Sequence, residues 1–257
     1  ILELTHAIES RLMRAQTLDA MDLERERGIT IKSHPVSMNY TARDGKVYRL
    51  NLIDTPGHVD FTYEVSRSMG ACEGAVLVVD ACQGVEAQTV ANAYLAIDAG
   101  LDIIPVLNKV DLPGADIPEV TKQIEDVLGI SMEHPLLISA KTGQNVPEVL
   151  EAIVTRLHPP VTRGSGAPLR ALVFDSVFDA FRGVIPYVRV VDGSIRAGDT
   201  VRLLGNGVQT QVREVGVFSP DQKPLPVLEA GQVGYLAGTL RDPGDVRIGD
   251  TVTTLKE

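Results

Sequence analysis

Tyr48-Arg-Leu-Asn-Leu-Ile-Asp-Thr-Pro-Gly57 sets a β-rich run ahead of a carboxylate, a proline and a glycine. Asp54 then falls at the carboxyl end of a strand, where α/β sheets hold their ligands. A carboxylate there can hold a magnesium ion through water, and the following glycine lets a backbone N–H come close to a phosphate. Taken alone, D-x-x-G also reads as a turn, and the flanking sequence decides between the two. Ala75 to Val79 and Ile103 to Leu107 are apolar throughout, the composition of central parallel strands, and Leu136 to Ile138 forms one more strand. Helix-spaced apolar residues occupy Phe61 to Met69, Ala87 to Ala99, Ile117 to Leu128 and Val146 to Leu157. Strand and helix alternate, which predicts an α/β domain with a parallel sheet covered on both faces.

Two further loops follow strands in the same manner. Asn108-Lys-Val-Asp111 comes after Ile103 to Leu107. The Asp111 carboxylate can accept from the N1–H and exocyclic amine of guanine, a donor pair that adenine lacks, while Asn108 holds base and loop and the Lys109 stem lies over the ring. Adenine is rejected because Asp111 would be left without its donors. Ser139-Ala140-Lys141 comes after the next strand, where a backbone N–H can reach the guanine carbonyl oxygen. Upstream, Arg25-Glu-Arg-Gly-Ile-Thr30 lies in a loop-like stretch before a strand at Ile31. Thr30 offers a hydroxyl to magnesium and an N–H to a terminal phosphate; by itself it also reads as a strand-initiating threonine. Glu24 to Arg27 reads as a solvated charge run.

Past Leu157-His-Pro-Pro-Val-Thr-Arg-Gly-Ser-Gly-Ala-Pro168, a Pro- and Gly-rich stretch, the apolar period changes to two. Arg170 to Asp175, Ile185 to Asp192, Thr200 to Leu204, Gln209 to Phe218 and Gly234 to Leu240 are strand-like, punctuated by Asp192-Gly193, Gly205-Asn206-Gly207 and Pro243-Gly244. Six or so short strands with tight turns predict a small antiparallel β-barrel. The expected division is residues 1–160, a linker over 161–166, and a second domain over 167–257. Nearly all the net negative charge lies before Gly164.

Composition sets the outer limits. The 257 residues carry 24 Lys and Arg against 34 Asp and Glu, a net charge of −10, with 44% hydrophobic residues. An acidic chain does not coat nucleic acid by charge alone, since that needs an excess of cations to displace counterions. DNA is therefore excluded as a partner, and any nucleic-acid contact is expected to be local. Cys72 and Cys82 form no CxxC pair and the five histidines have no metal spacing. No apolar run reaches the length of a membrane span, and Ile1-Leu-Glu-Leu-Thr-His has neither the charged nor the apolar region of a signal peptide. The chain reads as cytoplasmic.

Arg25 to Thr30, Asp54-Thr-Pro-Gly-His-Val-Asp60, Asn108 to Asp111 and Ser139 to Lys141 together resemble the translational GTPases, ribosome-dependent relatives of elongation factors Tu and G. Within that family the chain is most similar to the LepA branch, on Leu18 to Thr30, Asp60 to Arg67, Gly84 to Asn92, Phe174 to Ser176 and Phe181 to Gly183. The resemblance implies a P-loop-type GTPase domain followed by the family's domain II barrel, with Arg247 to Thr251 matching the barrel's closing signature. It implies GTP and GDP with Mg2+, the ribosome as partner, and a monomer. Thr30 and Asp54 would bind the metal. Thr30, Asp54, Thr55, Pro56, Gly57, His58, Asn108, Lys109, Val110, Asp111, Ser139, Ala140 and Lys141 would contact the nucleotide, and His58 would be catalytic, orienting the attacking water. Peripheral association with the inner face of the membrane is attached to the family, though the sequence supplies no amphipathic anchor.

The chain departs from the family in one respect. G-x-x-x-x-G-K-[ST] is not present: the Gly-Lys pair is Gly45-Lys46, followed by Val47 in an expected hairpin. The first residue is not Met and the start looks like the interior of a helix. These features lead us to expect a fragment whose phosphate loop and first strand lie before Ile1, and whose own turnover is impaired, because the loop's N–H groups and lysine carry phosphate affinity. The alternatives are a non-catalytic ribosome-binding fragment, or another factor of the elongation factor G or BipA type, which the domains beyond Glu257 would separate.

Overall fold

A computed structural model describes residues 1–8, 17–19 and 21–255; Ala20, within the Leu18 to Thr30 stretch, lies outside them. The chain divides into two compact units, one of Ile1–Ser33, Asn39–Tyr48 and Thr55–His158, the other of His34–Met38, Arg49–Asp54 and Pro159–Glu257. Residues 2–6 form turns, not the helix expected at the start, and His6 has a left-handed backbone at φ 54° that breaks any continuing spiral. α1 (Asp22–Arg27) precedes a hairpin of β1 (His34–Thr41) and β2 (Val47–Asp54). Gly45, at φ +79°, closes the turn between them, and the Ala42 N–H donates to Lys46 O at 3.0 Å. The Gly45-Lys46 pair thus serves a hairpin, because only glycine takes that backbone without strain.

A short 3-10 turn (Val59–Phe61) leads into α2 (Thr62–Met69), then β3 (Gly74–Asp80), α3 (Ala87–Asp98) and β4 (Asp102–Asn108). α4 (Ile117–Gln123), β5 (Leu136–Leu137) and α5 (Val146–Arg156) complete this part. β3, β4 and β5 pair in parallel, from Gly74 opposite Asp102 to Asp80 opposite Asn108, and with Val106 opposite Leu136. Alternation along β4 covers both faces, as expected. Ile104 and Val106 pack with Ile138, Val149 and Ala152, while Leu107 packs with Val79, Ala93, Val120 and Ile124. Pro105, which has no N–H to give a ladder, lies outside the two-residue pairing with β5.

Among the described residues β3 pairs with β4 alone, and Val78 is 55% exposed. One reading needs correction. The helix expected over Ile117 to Leu128 stops at Gln123 and widens into a π turn over Ile124–Leu128, ended by Gly129 at φ 67°. Val120, Ile124 and Leu128 stay buried throughout, so their spacing conceals the change.

The second unit is antiparallel. Its main sheet has eight strands: β6 (Arg170–Asp179), β7 (Gly183–Asp192), β9 (Thr200–Leu203), β10 (Gln209–Gln211), β11 (Glu214–Phe218), β12 (Gln222–Leu225), β14 (Val233–Ala237) and β15 (Thr251–Thr254), while β8 (Ser194–Arg196) pairs with β13 (Val227–Glu229). The order is β10-β9-β15-β6-β7-β14-β11-β12. These strands share one core that includes Ala171, Val188, Ile195, Val201, Leu228 and Val252. The strand expected over Gln209 to Phe218 is divided, because the Val212 N–H turns to Asp199 O and the Arg213 N–H to Ala237 O, each at 2.8 Å.

Burial pushes the phenols of Tyr40, Tyr187 and Tyr235 up to about 12, helped by the carboxylates of Glu151, Asp175 and Glu214 respectively. The folded chain keeps these protons, so their contribution to stability is complete below an ordinary phenol pKa of about 10 and is lost as pH rises towards 12. An absorbance titration of the six tyrosines should therefore show three ionising near 12 in the native protein. A single native transition near the ordinary value would contradict this.

Candidate functional site

The parallel register aligns the carboxyl ends of β3 and β4, with Asp80 opposite Asn108. Asn108 Oδ1 accepts the Ala140 N–H at 2.9 Å, and Asn108 O accepts the Ala81 N–H at 2.9 Å. The loop after β4 is thereby tied to its two neighbours. The Val110 N–H donates to Ile138 O at 3.2 Å, and the fully buried Ser139 accepts the Thr142 N–H on its Oγ at 3.2 Å. With Ala140's N–H engaged by Asn108, a guanine carbonyl oxygen has to be met by another backbone donor of this loop. Asp111, Ala140 and Lys141 stand exposed, open to a ligand.

Lys109 sits in the left-handed region at φ 67°, a conformation uncommon for a residue with a side chain. Its ammonium lies 2.6 Å from Asp80 Oδ2. Hydrogen bonding to Asp80 raises the Lys109 pKa. Burial works to raise the Asp80 carboxyl, but the Lys109 ammonium and the Cys82 N–H outweigh it and hold the carboxyl below its ordinary value.

The Asp54-Thr-Pro-Gly-His stretch continues from the end of β2. Asp54 and Thr55 are half-buried, Pro56 is buried, and Gly57 and His58 are exposed. A Cβ added at Gly57 would meet nothing within 4 Å, so its backbone is open to approach. Asn92 Nδ2, on α3, donates to Gly57 O at 3.2 Å. His58 Nδ1 lies 3.2 Å from the Asp60 N and 3.5 Å from the Asp60 carboxylate, so the ring is held by a residue two positions on.

Thr30 is held in its own loop, its hydroxyl donating to Asp19 Oδ1 at 3.1 Å. Glu24 organises that loop, and the solvated reading of Glu24 is overturned. It is fully buried, and its carboxylate accepts the N–H groups of Met21, Ile31 and Lys32, each at 2.9 Å. Arg25, Glu26 and Arg27 beside it are exposed. Among the described residues, no group of three or more His, Cys, Asp or Glu is placed to hold a metal ion.

A parallel sheet with these motif-bearing loops at its strand ends, followed in the chain by an antiparallel unit, is the architecture of the translation-factor class. The family model of the elongation factor Tu GTP binding domain matches residues 1–159, and that of elongation factor Tu domain 2 matches residues 183–253. The chain belongs to the translational GTPases. It is 57% identical over 257 residues to "Elongation factor 4" of Chlorobaculum tepidum, 56% over 253 residues to that of Thermosynechococcus vestitus, and 55% over 256 residues to that of Bacillus cereus. These alignments cover 98 to 100% of the chain and 42% of each relative, so the chain spans about two fifths of the relatives' length. The resemblance to the LepA branch is thus borne out.

Glu24→Ala would strip the Ile31 and Lys32 amides of their acceptor. Each buried donor left unsatisfied costs roughly 1–3 kcal/mol. Hydrogen exchange at Ile31 and Lys32 should therefore quicken at least about tenfold, with the β3–β4 amides unchanged; unaltered protection would refute this role for Glu24.

Proposed function

We propose that the chain is the guanine-nucleotide-binding part of a ribosome-dependent GTPase of the elongation factor 4 type, hydrolysing GTP to GDP and phosphate to act on translocation, fidelity or assembly of ribosomes. The observation that carries this reading is the bond from the Ala140 N–H to Asn108 Oδ1 at 2.9 Å, which joins the two base-reading loops before any base arrives. Asp111 then reads the guanine N1–H and amine, Lys109 covers the ring, and Val110, Ser139 and Lys141 complete the base site. Thr30, Thr55, Pro56 and Gly57 line the phosphate side, the Thr30 and Gly57 N–H groups facing the terminal phosphate. Thr30 and Asp54 would hold magnesium, which supplies neutralisation of phosphate charge. His58, with Nδ1 beside Asp60, has Nε2 to orient the attacking water once ribosomal RNA moves the ring. Positioning and charge stabilisation are the usual means of phosphoryl transfer.

The division at 160 and 166, the monomeric state and a cytoplasmic location belong to the same proposal. Peripheral membrane association rests on the family alone; among the described residues no helix is long and apolar enough to cross a membrane.

A fluorescent guanine nucleotide titrated into the chain, with and without the upstream segment of its gene, tests the main reading. The extended chain should bind with GTP but not ATP competing, and Asp111→Asn should shift preference from guanine towards xanthine, whose 2-oxo group accepts from the new amide. Undiminished GTP affinity in that variant would refute the base contact. In the complete gene product, His58→Ala should reduce ribosome-stimulated hydrolysis by at least about a hundredfold while sparing nucleotide binding; unchanged turnover would remove His58 from the catalytic step.

A further inference from the structure

Asp80 closes β3 as Asp54 closes β2 and Asn108 closes β4, yet the base-reading motifs do not include it. Its carboxylate is only 17% exposed. One oxygen, Oδ1, accepts the Cys82 N–H at 2.8 Å and caps the turn after the strand, while Oδ2 lies 2.6 Å from the Lys109 ammonium. Lys109 begins the loop with its backbone at φ 67°, which directs the side chain in a way the common regions do not. A left-handed non-glycine residue is strained and persists only where its surroundings over-determine it.

We infer that Asp80 is a positioning residue for the purine ring, anchoring the Lys109 ammonium so that the lysine stem forms one wall of the base site before nucleotide binds. The inference rests on the guanine-nucleotide reading above and adds a residue to it. A free lysine samples many rotamers, and ordering it over a ring during binding carries an entropic cost. Tethering its far end beforehand removes most of that cost. The tether is charged through the neutral range, since Lys109 is raised and Asp80 is held low. Because the stem touches the ring's face and not its edge, Asp80 acts on affinity for any purine nucleotide of this shape and leaves base discrimination to Asp111.

The test compares fluorescent GDP with fluorescent IDP, which lacks the exocyclic amine, on the complete gene product. Asp80→Asn keeps an oxygen for the Cys82 N–H but removes the charge that holds Lys109. It should weaken GDP and IDP by the same factor, about three- to tenfold, with their ratio unchanged, and Asp80→Glu should restore part of the loss. In nucleotide-free protein the slowly exchanging 15N ammonium signal of Lys109 should be present in the wild type and lost in Asp80→Asn. If Asp80→Asn binds as well as wild type while Asp80→Ala does not, Asp80 only caps its turn and the inference falls. A changed GDP-to-IDP ratio in Asp80→Asn overturns it too, by placing the effect at the base edge. If the unsubstituted protein binds neither nucleotide, the guanine-nucleotide reading itself is lost, and the anchor with it.

Discussion

Burial of β4 on both faces is the constraint on which the base site depends. Ile104 and Val106 point into one cluster and Leu107 into the other. A one-residue slip would exchange the faces of every side chain, and each apolar side chain driven out of the core forfeits about 1.5–3 kcal/mol. The register is therefore fixed at the strand's carboxyl end as firmly as in its middle. Asn108 must emerge opposite Asp80, and β5 must deliver Ser139 and Ala140 alongside. Precision among the loops is thus inherited from apolar packing, and the polar contacts complete what the core has placed.

Around Thr30 the order is reversed, because no sheet holds that segment. Glu24 supplies the fixed point instead, a fully buried carboxylate surrounded by backbone donors. An ionised carboxylate is acceptor-only and costly to bury unless its lone pairs are used. Accepting three amides meets that need and draws residues on both sides of α1 towards one point. The Asp19 carbonyl, accepting from Arg25 Nε, and the Asp19 carboxylate, accepting from Thr30, tie the same turn from its other side. Two carboxylates thereby do for a loop what apolar alternation does for the sheet.

Those two modes explain what the sequence discloses. Alternating strand and helix is a periodic signal, and the parallel sheet, the antiparallel unit after it and the position of two motif-bearing loops after β4 and β5 were legible from it. Membership of the translational GTPases was legible because three of the four short motifs each follow a strand and the fourth precedes one. β8 and β13 are three residues each and β12 is four, too short for alternation to rise above chance. Glu24 escaped for a different reason: a capping box announces itself by Ser or Thr three residues ahead of Glu, and here that position is Met21. Asp80 was hidden in plain alternation, as one more polar residue at a strand end.

The distribution of bonds also separates what is fixed from what can move under the proposed reading. On the base side, the ties run between elements: Asn108 to Ala140, Val110 to Ile138 and Lys109 to Asp80 join segments far apart in sequence. Moving any one loop there breaks bonds to another. On the phosphate side, His58 bonds to Asp60 two residues away and Thr30 to Asp19 within the same turn. Both bonds are local in sequence, and beyond them the Ser68 hydroxyl donates to Ser33 Oγ at 2.8 Å, which ties the first segment to α2. The Asn92 amide on the Gly57 carbonyl, at 3.2 Å, is a longer-range hold on the second segment, and it is a neutral hydrogen bond worth only about 1 kcal/mol net. A ligand that offers phosphate oxygens to both segments can outweigh holds of that size. Under that reading the base side is tied between sheet elements, while the segments that would sense the terminal phosphate hang on polar contacts alone: Glu24 and Ser68 for the first, and Asn92 for the second.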